Sequence, residues 1–300
     1  MFLAAILVFS AAAAGQTSKF RSVTIKTEPK ATIWVDNVKY GQTNEAGILK
    51  IGLPKTGSRI LKVRADGFAE AVKTLTAAQN SVDLILKPTT DKAELKFQEA
   101  ERLSQLDRDK AIEAYREAIK IKPAYINAHI GLIRVLSDAR KYDEAVKAIK
   151  DIKAIKPGIA EVSAIEGRIL KEVGEEDKAI AVFKRAITEG KGYQPEAYAG
   201  LGLLYQERAE IAAGEVDINA EDAAETEAVK YLSTAAKQLY TAPDAPIIYQ
   251  ILGLIYEKQH RFDEAIKLYE DFLVNFPDSV EAQAVRSFIV QIKKQQAREQ

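Results

Sequence analysis

The chain contains no cysteine, two histidines, one methionine and one tryptophan among its 300 residues. The missing thiols exclude disulfides, zinc–thiolate centres, thioether-linked haem and lipidation at cysteine. His129 and His260 lie 131 residues apart, too far to form a local metal motif. His260 falls in a short turn and is expected to be exposed. His129 falls on a helix and is expected to pack rather than ligate. No phosphate-binding loop, nucleophile elbow, HExxH or dinucleotide fingerprint is present, and the carboxylates fall mainly at exposed helical positions. The pattern carries no enzyme signature and no cofactor signature. After the start, no apolar run approaches the roughly 20 residues that a membrane-spanning helix requires.

The N-terminus differs in kind. MFLAAILVFSAAAAGQ is apolar from Phe2 to Ala14 and ends in small residues. It is too short to span a bilayer comfortably and reads as a signal peptide or N-terminal anchor over residues 1–15, with a cut between Ala13 and Gln16. It departs from the usual pattern in having no Lys or Arg before the apolar run. The expectation is export to the periplasm or surface of a bacterium.

Net charge is zero, but it is unevenly spread. Residues 16–90 carry 12 basic and 6 acidic side chains, and residues 91–300 carry 31 basic and 37 acidic ones. A basic excess of this size is not the dense cluster that nucleic-acid binding uses, so no nucleic-acid partner is expected.

Residues 19–88 alternate with a period of two. Ala31, Ile33 and Val35 point one way, as do Leu61, Val63 and Ala65 and then Val82, Leu84 and Leu86. Turn residues separate the runs. The spacing predicts six strands (22–27, 31–36, 48–53, 59–65, 70–76, 81–87) and a small antiparallel β-sandwich. The stretch TEPKATIWVD (27–36), with Gly41-Gln42-Thr43 and Gly67-Phe68 beyond it, resembles a PEGA domain. That resemblance implies a structural β-module without catalytic residues. Trp34 lies on the polar side of its strand, where it can stack on a sugar or pack against the rest of the chain.

Residues 91–300 follow a helical period. Ala111, Ala145, Ala179, Ala228 and Ala265 each have a bulky residue four positions on and a small or apolar one three further. These offsets lie on one helical face. The anchor separations are 34, 34, 49 and 37 residues. Pro123, Pro157 and Pro277 stop helices. Partner helices with Leu, Gly and Tyr on one face precede each stretch. This pattern resembles the tetratricopeptide repeat (TPR). It implies an α+β multidomain chain in which a β-sandwich precedes an all-α superhelix of about five helix pairs, closed by a capping helix at 279–297. The separation of 49 places an acidic insertion near 207–227, expected as a solvated loop or a helix extension. Asp217, Asn219, Glu221 and Asp222 only faintly suggest a cation loop.

Stacked helix pairs expose a concave groove lined by the first helix of each pair. The candidate partner-binding residues are Asn127, Ile130, Arg134, Arg168, Lys171, Leu203, Gln206, Gln250, Leu254 and Glu257. Arg134, Arg168 and Lys171 suit an acidic or C-terminal peptide group, and Leu203 and Leu254 suit apolar side chains. The leading expectation is an exported, non-enzymatic scaffold that takes a protein or peptide partner in this groove. Two other readings stand beside it. One is a cell-wall or carbohydrate-binding module that uses Trp34, Tyr40 and the basic β-domain. The other is a structural subunit of a surface assembly.

Overall fold

The computed structural model describes residues 20–299. The candidate signal segment lies outside them.

The alternating segment forms seven strands. They are β1 (Phe20–Lys26), β2 (Thr32–Val35), β3 (Val38–Gln42), β4 (Ile48–Pro54), β5 (Arg59–Arg64), β6 (Ala71–Leu75) and β7 (Ser81–Asp83). They make two sheets, ordered β4-β1-β7 and β3-β2-β5-β6. The inward sets, among them Val23, Ile25, Ile33, Val35, Leu61 and Val63, are buried between the sheets, as the period of two requires. Two expectations need correction. The sandwich is not wholly antiparallel, because β7 runs parallel to β1 with Ile25 opposite Val82. Strand β3 lies outside the six expected strands, because its turn-forming neighbours mask a run of only five residues. Its Val38 and Tyr40 are buried. The β2–β3 turn places Asp36 (φ 49°) and Asn37 (φ 66°) in the left-handed region, which these two residue types tolerate.

Eleven helices follow. Five pairs are α1 (Lys92–Leu103) with α2 (Arg108–Ile121), α3 (Ile126–Asp138) with α4 (Tyr142–Ile155), α5 (Ala160–Glu172) with α6 (Glu176–Glu189), α7 (Pro195–Gly214) with α8 (Ile218–Leu239), and α9 (Ala245–Lys258) with α10 (Phe262–Asn275). The cap is α11 (Ala282–Glu299). Asp91 starts α1 by accepting hydrogen bonds from the Ala93 and Glu94 amides, so the link from the last strand is short.

All five anchor alanines are fully buried, at 0% exposure. In four of the five repeats the bulky residue four positions on packs onto a glycine of an inner helix. Tyr115 covers Gly131, and Tyr269 covers Gly253. A Cβ added at these glycines would sit 2.4 Å from a Tyr115 ring carbon and 2.1 Å from the Tyr269 hydroxyl. The glycine at these positions makes room for a bulky side chain.

Of the alternatives for the acidic insertion, the structure shows helix extension. α7 and α8 run for 20 and 22 residues, against 12 to 14 in the other paired helices. The added sequence is rich in alanine and glutamate, both strong helix formers. Asp217 caps α8, accepting from the Ala220 amide at 3.1 Å. Glu221 pairs with Lys258.

Candidate functional site: a chamber on the concave face

The inner helices α1, α3, α5, α7 and α9 line the concave face of the array. The outward face of β2 and β5 lies opposite, so the β-domain sits within the curve of the solenoid. Between them is a solvent-connected chamber of about 1900 Å³. That is larger than the roughly 300–1,000 Å³ of a small-molecule pocket.

The β-domain touches the array at both ends of the chamber. At the first repeat, the Gln98 side chain accepts from the Gly67 amide (2.8 Å) and donates to the Phe68 carbonyl (2.7 Å). The Arg64 guanidinium lies 4.7 Å from the ring centroids of both Trp34 and Phe97. It also donates to Glu101 at 2.7 Å. Burial alone would lower the Arg64 guanidinium; the Glu101 and Glu70 carboxylates reverse this and hold it above its ordinary value. At the far end the turn between α8 and α9 meets β1, β3 and β4. Thr241 bonds the Gly52 amide and carbonyl at 3.0 and 2.9 Å, and the Tyr40 hydroxyl donates to the Leu239 carbonyl at 3.4 Å.

Arg134 is the electrostatic centre of the chamber floor. Its guanidinium donates to Glu161 (3.0 Å) and Glu196 (2.7 Å), so α3 is tied to α5 and α7. Burial would lower Arg134, but Glu196 and Glu161 hold it well above its ordinary value. Burial would likewise raise Glu196, yet Arg134 beside it holds that carboxyl below the usual range. A depressed carboxylate stabilises the folded state above its unfolded pKa and loses that contribution as pH falls through its folded value. The melting midpoint is therefore expected to drop as pH is taken below about 4.3, the ordinary glutamate value. Glu196→Gln should flatten that part of the pH profile; an unchanged slope would show that Arg134 does not govern Glu196.

Arg134→Ala is expected to destabilise the array by about 2 kcal/mol. The full cost of stripping a buried pair is about 3–5 kcal/mol, and solvent screening reduces it here. The discount applies because 37% of the Arg134 side chain is exposed. Urea unfolding checks this; a loss below that of an exposed arginine such as Arg116 would show the network to be idle.

Six of the ten sequence-derived residues line the chamber: Asn127, Ile130, Arg134, Arg168, Lys171 and Leu203. Several already have intramolecular partners. The Asn127 amide donates to Glu70 of the β-domain at 3.4 Å. Arg168 lies 3.2 Å from Asp138, and Lys171 lies 2.5 Å from Glu207. Nε of Arg168 is buried and has no hydrogen-bond partner. The other four fall outside the chamber. Gln206 donates to Glu210 on its own helix at 3.1 Å, and Glu257 accepts from Tyr269 at 2.8 Å. Gln250 and Leu254 face solvent on α9.

The groove is thus less open than stacked helix pairs alone imply. Much of the groove is roofed by the β-domain, and its cations face carboxylates from neighbouring inner helices. Tyr40, a candidate sugar contact, is buried at 6% exposure. One side of Trp34 holds Arg64. His129 is buried, with Nε2 2.8 Å from the Pro123 carbonyl, and His260 is exposed, as expected. Sequence reasoning did not find Arg64, Gln98, Glu101, Tyr240 or Thr241. The opposite charges of the two segments and the outward-facing Trp34 were the signs that they dock.

These features define a helical repeat solenoid that holds a β-sandwich in its concave face. Tetratricopeptide-repeat models match residues 102–169 and 226–282, both in the helical part. These two segments are tetratricopeptide repeats, and the eleven described helices form a TPR-like array. Among solved structures, yeast Tom70 is similar in fold, with TM-score 0.53 and 20% identity over 68% of this chain; the chain spans 40% of that protein's length. The MamA protein aligns at TM-score 0.43 and 22% identity, over 65% of this chain and 96% of that one. A thermophilic TPR protein of Thermus thermophilus aligns at TM-score 0.46 and 18% identity, over 67% and 98% of the two chains. No curated protein matches the sequence.

Proposed function

We propose that the chain is an exported, non-enzymatic scaffold with a PEGA-like β-domain. It holds an extended segment of another protein in the chamber between that domain and the array. The observation that carries this reading is the chamber itself. Its about 1900 Å³ is lined by five inner helices and mixes apolar walls at Ile130 and Leu203 with charge at Arg168. An extended chain satisfies its backbone with polar groups along such a wall and places alternate side chains in apolar recesses. Arg168, paired with Asp138 at the chamber wall, supplies a positive charge beside the guest. Export rests on the apolar segment at residues 1–15.

The test is affinity purification of the tagged chain from its native envelope fraction, beside the variant Ile130→Asp/Leu203→Asp. The expected result is one stoichiometric partner, retained by the parent and lost in the variant. Retention of the same set by both would reject the chamber as the binding site. Recovery of the chain in the cytosolic fraction would reject export.

A further inference from the structure

The β-domain is joined to the array by chain at only one end. Its link to α1 is short, and Arg64 and the Gly67–Phe68 backbone bond Glu101 and Gln98 there. The far contact is made between residues separated by 189 or more positions. It closes the molecule into a ring around the chamber. An extended segment with folded parts on both sides of it cannot thread a closed ring, so for such an internal segment the far contact decides access.

That contact has an apolar part, where the β-sandwich core continues into buried residues of α8 such as Leu239, and a specific polar part. Thr241 Oγ1 both accepts from and donates to the backbone of Gly52. A side chain at Gly52 would collide with it, since an added Cβ would lie 2.6 Å from Thr241 Cγ2. Tyr240, the residue before, ends α8 at φ 54° and ψ −114°. A non-glycine residue in this region carries a conformational cost of about 1–3 kcal/mol. Its ring meets two β-domain side chains, Phe20 edge-on at 6.1 Å and Arg59 at 5.1 Å. The unfavourable backbone is thus held where the β-domain docks, and undocking removes both ring contacts. The array can supply the movement, because each repeat packs mainly on its neighbours and small changes at each interface add along the solenoid.

We propose that the β-domain is a lid on the concave chamber, latched at Tyr240–Thr241 against Gly52, and that release of this latch opens the chamber to its guest. The proposal rests on the chamber being the binding site. Hinging stays at the Arg64–Phe97–Gln98 contact, where chain and side chains both connect the two parts. Within the latch the Thr241–Gly52 pair is the part most open to a single substitution, because an added Cβ at Gly52 collides with Thr241.

The absence of native cysteine makes the test clean. Spin labels on Ser58→Cys in the β-domain and Lys267→Cys on α10, both exposed, report the distance across the latch without any guest. In the parent chain the short distance should dominate. In Gly52→Ala, and separately in Thr241→Val, a longer distance should become the major population. Trp34 emission and the far-ultraviolet spectrum should stay as in the parent, which shows that both parts remain folded. A single short distance in both variants overturns the latch. So does a long distance that appears only with loss of the folded Trp34 signal.

A second measurement addresses access. The pair Gly52→Cys/Thr241→Cys places two Cβ positions 3.2 Å apart, just short of the roughly 3.5–4.5 Å of a disulfide, so a small outward shift of the turn lets the bond form. Oxidised, it should lose the partner that its reduced form retains from the envelope fraction. Equal retention in both forms overturns the lid. If the parent itself retains no partner, the binding reading fails, and the distance measurement still decides the latch.

Discussion

Phe97→Ala is expected to destabilise the chain by about 3–5 kcal/mol, the usual cost of removing a buried aromatic ring. Phe97 is 1% exposed and lies on α1, where two cores meet. Below it are the rings of Tyr125 and Tyr115, at 5.1 and 6.1 Å. Above it is the Arg64 guanidinium, 4.7 Å away. Truncation therefore leaves a cavity in the first repeat and removes one of the two rings that flank Arg64. The lost cation–π contact adds about 0.5–2 kcal/mol to the loosening of the β-domain.

Two readouts separate these effects. The urea midpoint reports the first repeat. The emission of Trp34, the sole tryptophan, reports the Arg64 contact directly. Both should change in Phe97→Ala, with the emission moving to longer wavelength as water reaches the indole. Leu106→Ala is the control, because Leu106 is 74% exposed and off this contact. Equal losses in the two variants would show that Phe97 is not the residue joining the domains.

The helical half was legible because its rule is local and repeated. An alanine, a bulky residue four on and a small or apolar one after that mark a buried face, and five registers agree. Proline marks the helix ends independently. The β-domain was legible wherever alternation ran for five or more residues between turns. It failed at β3, where Asp36-Asn37 and Gly41 flank two buried side chains and leave too short a run.

The site was legible in part. Helical periodicity places Arg134, Arg168 and Leu203 on inner helices facing the groove. It does not tell what faces them. The carboxylates on Arg134 come from 27 and 62 positions away, on two other helices. The β-domain reaches the far end of the array across about 190 residues, through one threonine and one strained tyrosine. Neither residue type is unusual in a turn, so nothing local distinguished them. The opposite charge balance of the two segments, basic before residue 90 and acidic after, and the outward-facing Trp34 hinted that one docks on the other without naming the residues.

The second large effect is expected at Phe183, and it tests how the repeats stack. Phe183 is 1% exposed on α6 and sits between glycines of two inner helices. A Cβ at Gly167, in its own repeat, would lie 2.6 Å from the ring, and one at Gly200, in the next repeat, 2.4 Å. Phe183→Ala should cost about 3–5 kcal/mol through the void it leaves. Gly200→Ala alone should cost about 1–3 kcal/mol, because the ring has no room to yield. Together they should cost clearly less than their sum, since the added methyl enters the space that the ring vacated. Coupling between touching residues is typically about 0.5–3 kcal/mol. A urea double-mutant cycle measures it. Strict additivity would mean that Phe183 and Gly200 do not meet, and that the third and fourth repeats are joined chiefly by polar ties such as Lys171 to Glu207. Strong coupling places the junction on the aromatic ring. In that case this junction is read through one glycine, as Tyr115 on Gly131 reads that between the first and second repeats, and the curvature there is set by the residues that fill those positions.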